Sequence, residues 1–135
     1  MDHDCIFCKI INKKMTSYTI YENDKVIAFL DAFPASLGHV LIVPKKHYEN
    51  IYDIDEDYLI EIIKVAKKIA LKYKEVFKID NLQLIHSAGE YGQQEVFHFH
   101  LHLIPRQQND GLDIIHDKKE GITDNYNDFI NKFKK

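Results

Sequence analysis

The spacing of apolar and polar residues along the chain predicts short strands on both sides of one long helix. Residues 18–21 and Val26–Leu30 are β-branched and aromatic runs separated by four polar residues, which is typical of a hairpin. Residues 39–43 form a nearly all-apolar run that Pro44 ends, which indicates a third strand. Residues 31–38 contain a proline and a glycine and are predicted to form a loop.

After the third strand, the apolar residues recur with the spacing of a helix. Asp53 and Glu56 have the spacing of a capping box, with Asp53 as the N-cap. Lysines predict that one face of the helix is solvated. Apolar residues that recur every three or four positions predict the buried face: Leu59, Ile62, Ile63, Ala66, Ile69, Ala70, Tyr73 and Phe77.

The rest of the chain completes an α+β pattern. Residues 5–11 are compatible with a short helix and residues 122–133 with a terminal one. Residues 82–86 and 97–104 are predicted strands, the latter stopped by Pro105. The prediction is therefore an antiparallel sheet of about five strands with one long helix and short N- and C-terminal helices.

Composition excludes several function classes. The chain has 135 residues, enough for a single domain over residues 1–135. Its formal net charge of −3 gives no electrostatic reason to expect nucleic-acid binding. It has no stretch approaching the roughly 18 apolar residues of a membrane span, and its acidic N-terminus does not fit a signal peptide. We expect a cytoplasmic protein without membrane partners, and two cysteines do not suggest a disulfide scaffold.

The segment with the most chemistry is His-Phe-His-Leu-His at residues 98–102. In a strand, His98, His100 and His102 share one face, about 6.6 Å apart in succession. Imidazoles suit nucleophilic attack and proton transfer near neutral pH. Two other interpretations of the three histidines remain. They are unrelated side chains on a solvent-exposed face, or they are the ligands of a catalytic metal in a metallohydrolase. The residues between them point into the core: Phe99, Leu101 and Leu103.

This pattern resembles the signature of the histidine-triad (HIT) family of nucleotidyl hydrolases and transferases. Residues 26–31 and 38–47 resemble the family's nucleotide-binding half, and residues 92–97 its phosphate loop. The resemblance runs over residues 5–106 and is closest to the zinc-containing, Hint-like branch. It implies an HIT-like fold and a two-fold homodimer.

The resemblance also implies catalytic roles. His100 would attack the α-phosphorus of a purine nucleotide conjugate, forming a covalent nucleotidyl-histidine that water resolves. Its other ring nitrogen would bond to a main-chain carbonyl, expected at His98. His102 would donate to phosphate oxygens, where charge develops. His39 would support this network from behind, or it is a buried strand histidine satisfied by the backbone.

The nucleotide-binding residues follow in the same way. Asp31 would accept bonds from both ribose hydroxyls, or it is a turn residue before Pro34. Gln94 and the backbone N–H of Val96 would contact the phosphate. Base-pocket walls, each alternatively plain core, would be Ile6, Phe7, Ile10, Phe29 and either Val26 or Ile27.

Two positions depart from the family pattern. Ser87 stands where relatives have Asn or Gln, so its contacts to a second phosphate or ribose would weaken or pass through water. Gln93 replaces the usual glycine before Gln94, which would reshape the loop. Because of these two departures, the motifs do not determine which substrate, and therefore which leaving group, the protein uses. Three histidines outside the triad are predicted to be surface or packing residues: His3, His86 and His116.

The spacing Cys5-x-x-Cys8 alone allows a redox pair, half of a zinc site or chance. The resemblance implies a closed structural zinc site made of Cys5, Cys8, His47 and His98. Zinc would tie the N-terminal helix to the sheet. His98 would then contribute orientation rather than acid–base chemistry.

The favoured hypothesis is a hydrolase of nucleoside monophosphate–amine conjugates (phosphoramidates). A dinucleoside polyphosphate hydrolase with the same nucleophile, and a nucleotide-binding or interaction module without turnover, are the alternatives.

Overall fold

The computed structural model describes residues 4–113 and 118–135. His3 and His116, predicted to be surface or packing residues, lie outside these ranges. The strands are β1 (Thr19–Glu22), β2 (Val26–Leu30), β3 (Val40–Pro44), β4 (Leu82–Ile85) and β5 (Leu101–Pro105). The helices are α1 (Ile6–Ile11), α2 (Glu56–Phe77) and α3 (Tyr126–Phe133), with 3-10 turns at Glu90–Gly92 and Ile122–Asn125.

The five strands form one antiparallel sheet in the order β1-β2-β3-β5-β4, as the α+β prediction required. The β1–β2 turn is closed by Asn23, whose side-chain oxygen accepts from the backbone N–H groups of Lys25 and Val26 at 2.8 and 3.0 Å. Asparagine favours such turns because its short side chain can replace a backbone acceptor. The predicted hairpin is therefore confirmed.

Successive residues of the central strands are buried on opposite faces of the sheet. One face packs under α2, where Val26, Ala28, Phe99, Leu101 and Leu103 meet the helix residues in a single core cluster. The other face packs under α1 in a second cluster that includes both cysteines: Cys5, Phe7, Cys8, Ile10, Ile27, Phe29, Leu41 and Val43. The sheet thus separates the core under α2 from the face under α1, which carries the histidines.

The N-terminus of α2 differs from its prediction. Asp55, not Asp53, is the N-cap, and its side chain accepts from the N–H of Asp57. The carboxylate of Asp53 instead accepts from the N–H groups of Glu49 and Asn50, at 2.9 to 3.0 Å. The capping-box prediction was wrong because Asp53 stabilises the preceding loop.

Along α2 the buried stripe is narrower than predicted. Ile63 and Phe77 are 51% and 63% exposed. Val65, which the pattern did not single out, is completely buried. Among the described residues, no helix is long and apolar enough to cross a membrane.

Gly38 fixes the loop between β2 and β3 against the sheet. Its φ of +93° lies in the region that favours glycine. A Cβ there would lie 3.2 Å from the Pro105 ring and 3.3 Å from the Tyr73 ring. The Tyr73 hydroxyl donates to the Gly38 carbonyl at 3.0 Å. This close packing holds the loop that ends at His39.

Candidate active site and metal-binding cluster

The nucleophile candidate lies just outside the sheet. β5 begins at Leu101 rather than at Phe97, so His98 and His100 precede the ladder. This segment is held by the Phe99 N–H, which donates to the Tyr48 carbonyl at 2.6 Å. The alternation nevertheless persists, because Phe99 is buried in the α2-side core. On the opposite face, the ring centroids of His98 and His100 lie 5.8 and 5.2 Å from that of Phe7.

The ring of His100 has a defined orientation. His100 is only 7% exposed, and its Nδ1 lies 2.8 Å from the His98 carbonyl oxygen. A carbonyl can only accept, so Nδ1 carries the proton and Nε2 keeps its lone pair. Burial lowers the pKa of His100 below 6.5, which favours the neutral ring. A buried imidazole with a bare Nε2 is equipped for nucleophilic attack.

A chain of hydrogen bonds fixes the other two histidines of the site. The Ala35 N–H donates to His39 Nδ1 at 2.9 Å, so His39 carries its proton on Nε2. His39 Nε2 lies 2.9 Å from His102 Nδ1, which must therefore be the acceptor. A neutral His102 then carries its proton on Nε2. The prediction that His39 supports the network agrees with these contacts, and a backbone N–H orients the whole chain.

These rings face a cavity of about 720 Å³ between α1, the end of β2 and residues 87–96. The lining includes ten of the predicted site residues: Ile6, Phe7, Ile10, Phe29, Asp31, His39, Ser87, Val96, His100 and His102. It also includes residues that the sequence did not assign to the nucleotide: Met15, Thr16, Ser17, Tyr18, Leu30, Ala32, Phe33, Leu41, Gln93 and Glu95.

Gln94 does not line this cavity. Its side-chain NH₂ donates to the carbonyls of Glu49 and Val96 at 2.7 and 3.0 Å. Its Oε1 accepts from the Gly89 N–H at 2.9 Å. The buried amide therefore holds two loops together, and its hydrogen-bonding groups are engaged there rather than at the cavity. The preceding Gln93, at φ +69°, lines the cavity instead.

Neither Val26 nor Ile27 reaches the cavity. Val26 is completely buried on the α2 side of the sheet, and Ile27 packs in the α1-side cluster beneath the lining residues. Of the residues predicted to form the base pocket, those of α1 and Phe29 therefore line the cavity, whereas the start of β2 does not.

Asp31 makes the turn that the sequence allowed and also lines the cavity. Its Oδ1 accepts from the Phe33 N–H at 2.9 Å, which makes a turn. Its Oδ2 lies 3.4 Å from His39 Nε2, and the residue lines the cavity. The turn holds this carboxylate at the cavity wall.

The second feature is a cluster of four metal-ligating side chains. Cys5, Cys8, His47 and His98 each place one ligand atom within 4.8 Å of the others. His98 Nδ1 lies 3.1 Å from His47 Nδ1, 3.3 Å from Cys5 Sγ and 3.5 Å from Cys8 Sγ. His47 Nδ1 lies 3.3 Å from Cys8 Sγ.

These distances match the edges of a coordination tetrahedron. Metal–sulfur and metal–nitrogen bonds of about 2.3 and 2.0 Å give edges of about 3.3 to 3.8 Å. His98 Nε2 lies 2.9 Å from the Pro44 carbonyl, so it carries the proton and leaves Nδ1 as a ligand. Burial is the main cause of the low pKa of His98, about 4. The residues present therefore fit one tetrahedral metal ion.

Three other ligand-type residues also cluster: Asp31, His39 and His102 lie within 4.8 Å of one another. Here the proton positions oppose metal binding. His39 could offer Nε2 only by moving its proton to Nδ1, where the Ala35 N–H already points. This group is therefore a hydrogen-bonded network. The alternative of a catalytic metal held by the triad is also disfavoured, because His98 Nδ1 points into the other cluster.

Comparison with known proteins agrees with the fold and the triad. The HIT domain family profile matches residues 12–109, so the chain belongs to the HIT family. The crystal structure of SMU.412c from Streptococcus mutans has a TM-score of 0.91 at 32% identity, covering 99% of this chain and 85% of that one. The HIT-like fold predicted from the sequence is thereby confirmed.

Two further relatives bear on chemistry. Adenosine 5'-monophosphoramidase HNT1 of Saccharomyces cerevisiae is 38% identical over 83% of this chain and 69% of its own length. A Zn-bound histidine triad protein from Mycobacterium smegmatis has a TM-score of 0.78 at 30% identity, covering 86% of this chain and 84% of its own. The family relationship supports nucleotide binding and hydrolysis in general.

Proposed function

We propose that the protein hydrolyses the P–N bond between a purine nucleoside monophosphate and an amine. The observation that carries this proposal is the orientation of His100, which lines the cavity and whose Nδ1–H is bonded to the His98 carbonyl, so that Nε2 keeps its lone pair. Nε2 attacks the α-phosphorus, the P–N bond breaks and the amine leaves with a proton from His102 Nε2. Water then breaks the new N–P bond, which releases the nucleotide and the His100 imidazole, and the proton of this water returns to His102.

The charges of the cavity favour an amine over a polyphosphate as the leaving group. Among the described residues that line it, Asp31 and Glu95 are acidic and none is Lys or Arg. A polyphosphate chain would bring several negative charges that such a wall does not neutralise. The name of the yeast relative, a monophosphoramidase, points to the same substrate class.

The experiment compares wild type with His100→Asn on adenosine and guanosine phosphoramidates and on dinucleoside polyphosphates. We expect wild type to prefer the phosphoramidates and to accumulate a nucleotidyl-enzyme after rapid quenching. His100→Asn should still bind nucleoside monophosphate but lose at least a thousandfold in rate. Equal, slow rates for both proteins would mean a binding module, and a preference for polyphosphates would reverse the leaving-group assignment.

We propose that the four-residue cluster holds structural zinc. Two thiolates and two imidazoles in a closed set are typical of structural zinc, with no position left for substrate. Zinc would link Cys5 and Cys8 at α1 to His47 and His98 and so stiffen the segment before β5. Metal analysis of protein purified without added metal should give one zinc per chain, and a stoichiometry near zero would contradict this assignment.

We further propose that the chain forms a single domain and a cytoplasmic homodimer. Support for a dimer comes from apolar side chains exposed on two helices: Ile60 and Ile63 of α2, and Tyr126, Phe129, Ile130 and Phe133 of α3. Surfaces of this kind commonly mark protein interfaces. Light scattering after size exclusion should give twice the chain mass, and cell fractionation tests the location.

A further inference from the structure

His86 occupies a special place beside the nucleophile. It follows the last residue of β4, and the final β4–β5 pair is Ile85 with His102. Beyond that pair the two strands exchange no further ladder bonds. The backbone at His100 therefore lies where the sheet no longer fixes it, and its carbonyl needs another partner.

The ring of His86 supplies that partner. The Ile51 N–H donates to His86 Nε2 at 3.1 Å, so the proton of a neutral ring lies on Nδ1. His86 Nδ1 lies 3.1 Å from the His100 carbonyl oxygen, to which it donates. The ring also stacks on Phe99, with centroids 4.2 Å apart and planes at 24°. Three contacts thus fix one imidazole, and two of them involve the nucleophile's own carbonyl and the preceding Phe99.

We propose that His86 is a positioning residue for His100. It joins the loop at Ile51 to the His100 carbonyl. The backbone pairing of β4 with β5 ends at Ile85, and the His86 side chain provides the next link between the two segments. It does not line the cavity, so it acts through the backbone of His100 rather than on the substrate. Its effect is to keep Nδ1 of His100 on the His98 carbonyl and Nε2 toward the phosphorus.

The kinetic part of this inference rests on the proposed hydrolysis. Two variants separate stacking from hydrogen bonding. His86→Phe keeps a ring against Phe99 but removes both hydrogen bonds, whereas His86→Gln keeps one donor and one acceptor. A misplaced nucleophile lowers the rate of the chemical step, so kcat of His86→Phe should fall about tenfold to a hundredfold. KM should change little, because the cavity walls are intact, and His86→Gln should recover most of kcat.

A second measurement does not depend on hydrolysis. In ¹⁵N-labelled protein, the His100 ring should show one tautomer, with Nδ1 protonated, in wild type and His86→Gln. In His86→Phe the two tautomers should become mixed. If wild type hydrolyses no substrate, the proposed function fails while this readout still tests His86. An unchanged tautomer in His86→Phe, or equal kcat for wild type and His86→Phe, would overturn the positioning role.

Discussion

The two histidine clusters contain similar residue types but are built for different chemistry. In the cluster of Cys5, Cys8, His47 and His98, a backbone carbonyl accepts a hydrogen bond from His98 Nε2–H, which leaves Nδ1 unprotonated among sulfur and nitrogen ligands. In the cluster of Asp31, His39 and His102, a backbone N–H occupies His39 Nδ1 and leaves a proton on Nε2. One neighbouring backbone group therefore decides whether an imidazole binds a metal or donates a hydrogen bond.

Removing the metal-type cluster should have the largest effect. We expect Cys8→Ser, or treatment with a strong chelator, to lower the melting temperature by about 10 °C or more, because structural metal binding contributes several kcal/mol to folding. Differential scanning calorimetry with and without added zinc measures this. Lys67→Ala, an exposed change on α2 outside both clusters and the cavity, is the control. A chelator that stops hydrolysis without changing stability would instead indicate a catalytic metal.

Breaking the hydrogen-bonded cluster should affect turnover and leave zinc content unchanged. His39→Leu removes the donor to His102 Nδ1, so the His102 ring loses its fixed orientation. We expect kcat/KM to fall about tenfold to a hundredfold. His39→Gln, which retains a donor, should recover part of it. Loss of zinc in His39→Leu would show that the two clusters are not independent.

The pH dependence of the free energy of unfolding should distinguish the buried His102 from an exposed histidine. Burial, reinforced by His100 and His39, lowers the pKa of His102 to about 4. The unfolded chain binds a proton on His102 near pH 6.5, whereas the folded chain does not until about pH 4. The free energy of unfolding should therefore decrease as the pH falls from 6.5 toward 4, and be unaffected by this group above 6.5.

NMR titration measures this directly. The ring signals of His102 should titrate near pH 4, and replacing His39 by Asn should move the midpoint upward because one like-charged neighbour is lost. A midpoint near 6.5 in wild type would mean that the ring is solvated.

The smallest expected effect concerns Phe7, the residue that joins the two regions. Its ring contacts His98, His100 and Phe29 edge to face, with centroids 5.2 to 5.8 Å apart. Phe7→Leu keeps an apolar side chain but loses these ring contacts. We expect a loss of about 1 kcal/mol in stability and a modest rise in the Kd for nucleoside monophosphate. Chemical denaturation and calorimetric titration measure the two changes.

Much of the fold and most of the site were predictable because they depend on periodicity and on a strongly marked motif. Alternation around His100 placed Phe99 and Leu101 in the core, and the four potential metal ligands were named from their residue types and the resemblance. The structure adds contacts that the sequence did not indicate where polar side chains bond to groups in loops. Asp53 bonds to the loop before α2, and Gln94 turns its amide toward Glu49 and Gly89.

The hydrogen bonds of His86 were out of reach of the sequence for the same reason. It was predicted to be a surface or packing residue, and its stacking on Phe99 fits packing. Its bonds to Ile51 and His100 join segments 35 and 14 residues away, which no local pattern encodes. The only signal in the sequence was a histidine at the end of the predicted strand at residues 82–86.

The chain Ala35–His39–His102 has a consequence for how protons travel. It ends at a peptide N–H, which is far too weak an acid to release its hydrogen, so the relay has a fixed direction and no reservoir behind it. In the proposed hydrolysis, a proton that His102 Nε2 gives up therefore cannot be replaced from the protein side of this chain. It must come from the water that attacks the nucleotidyl-histidine, so the water that breaks the N–P bond also restores the ring for the next turnover.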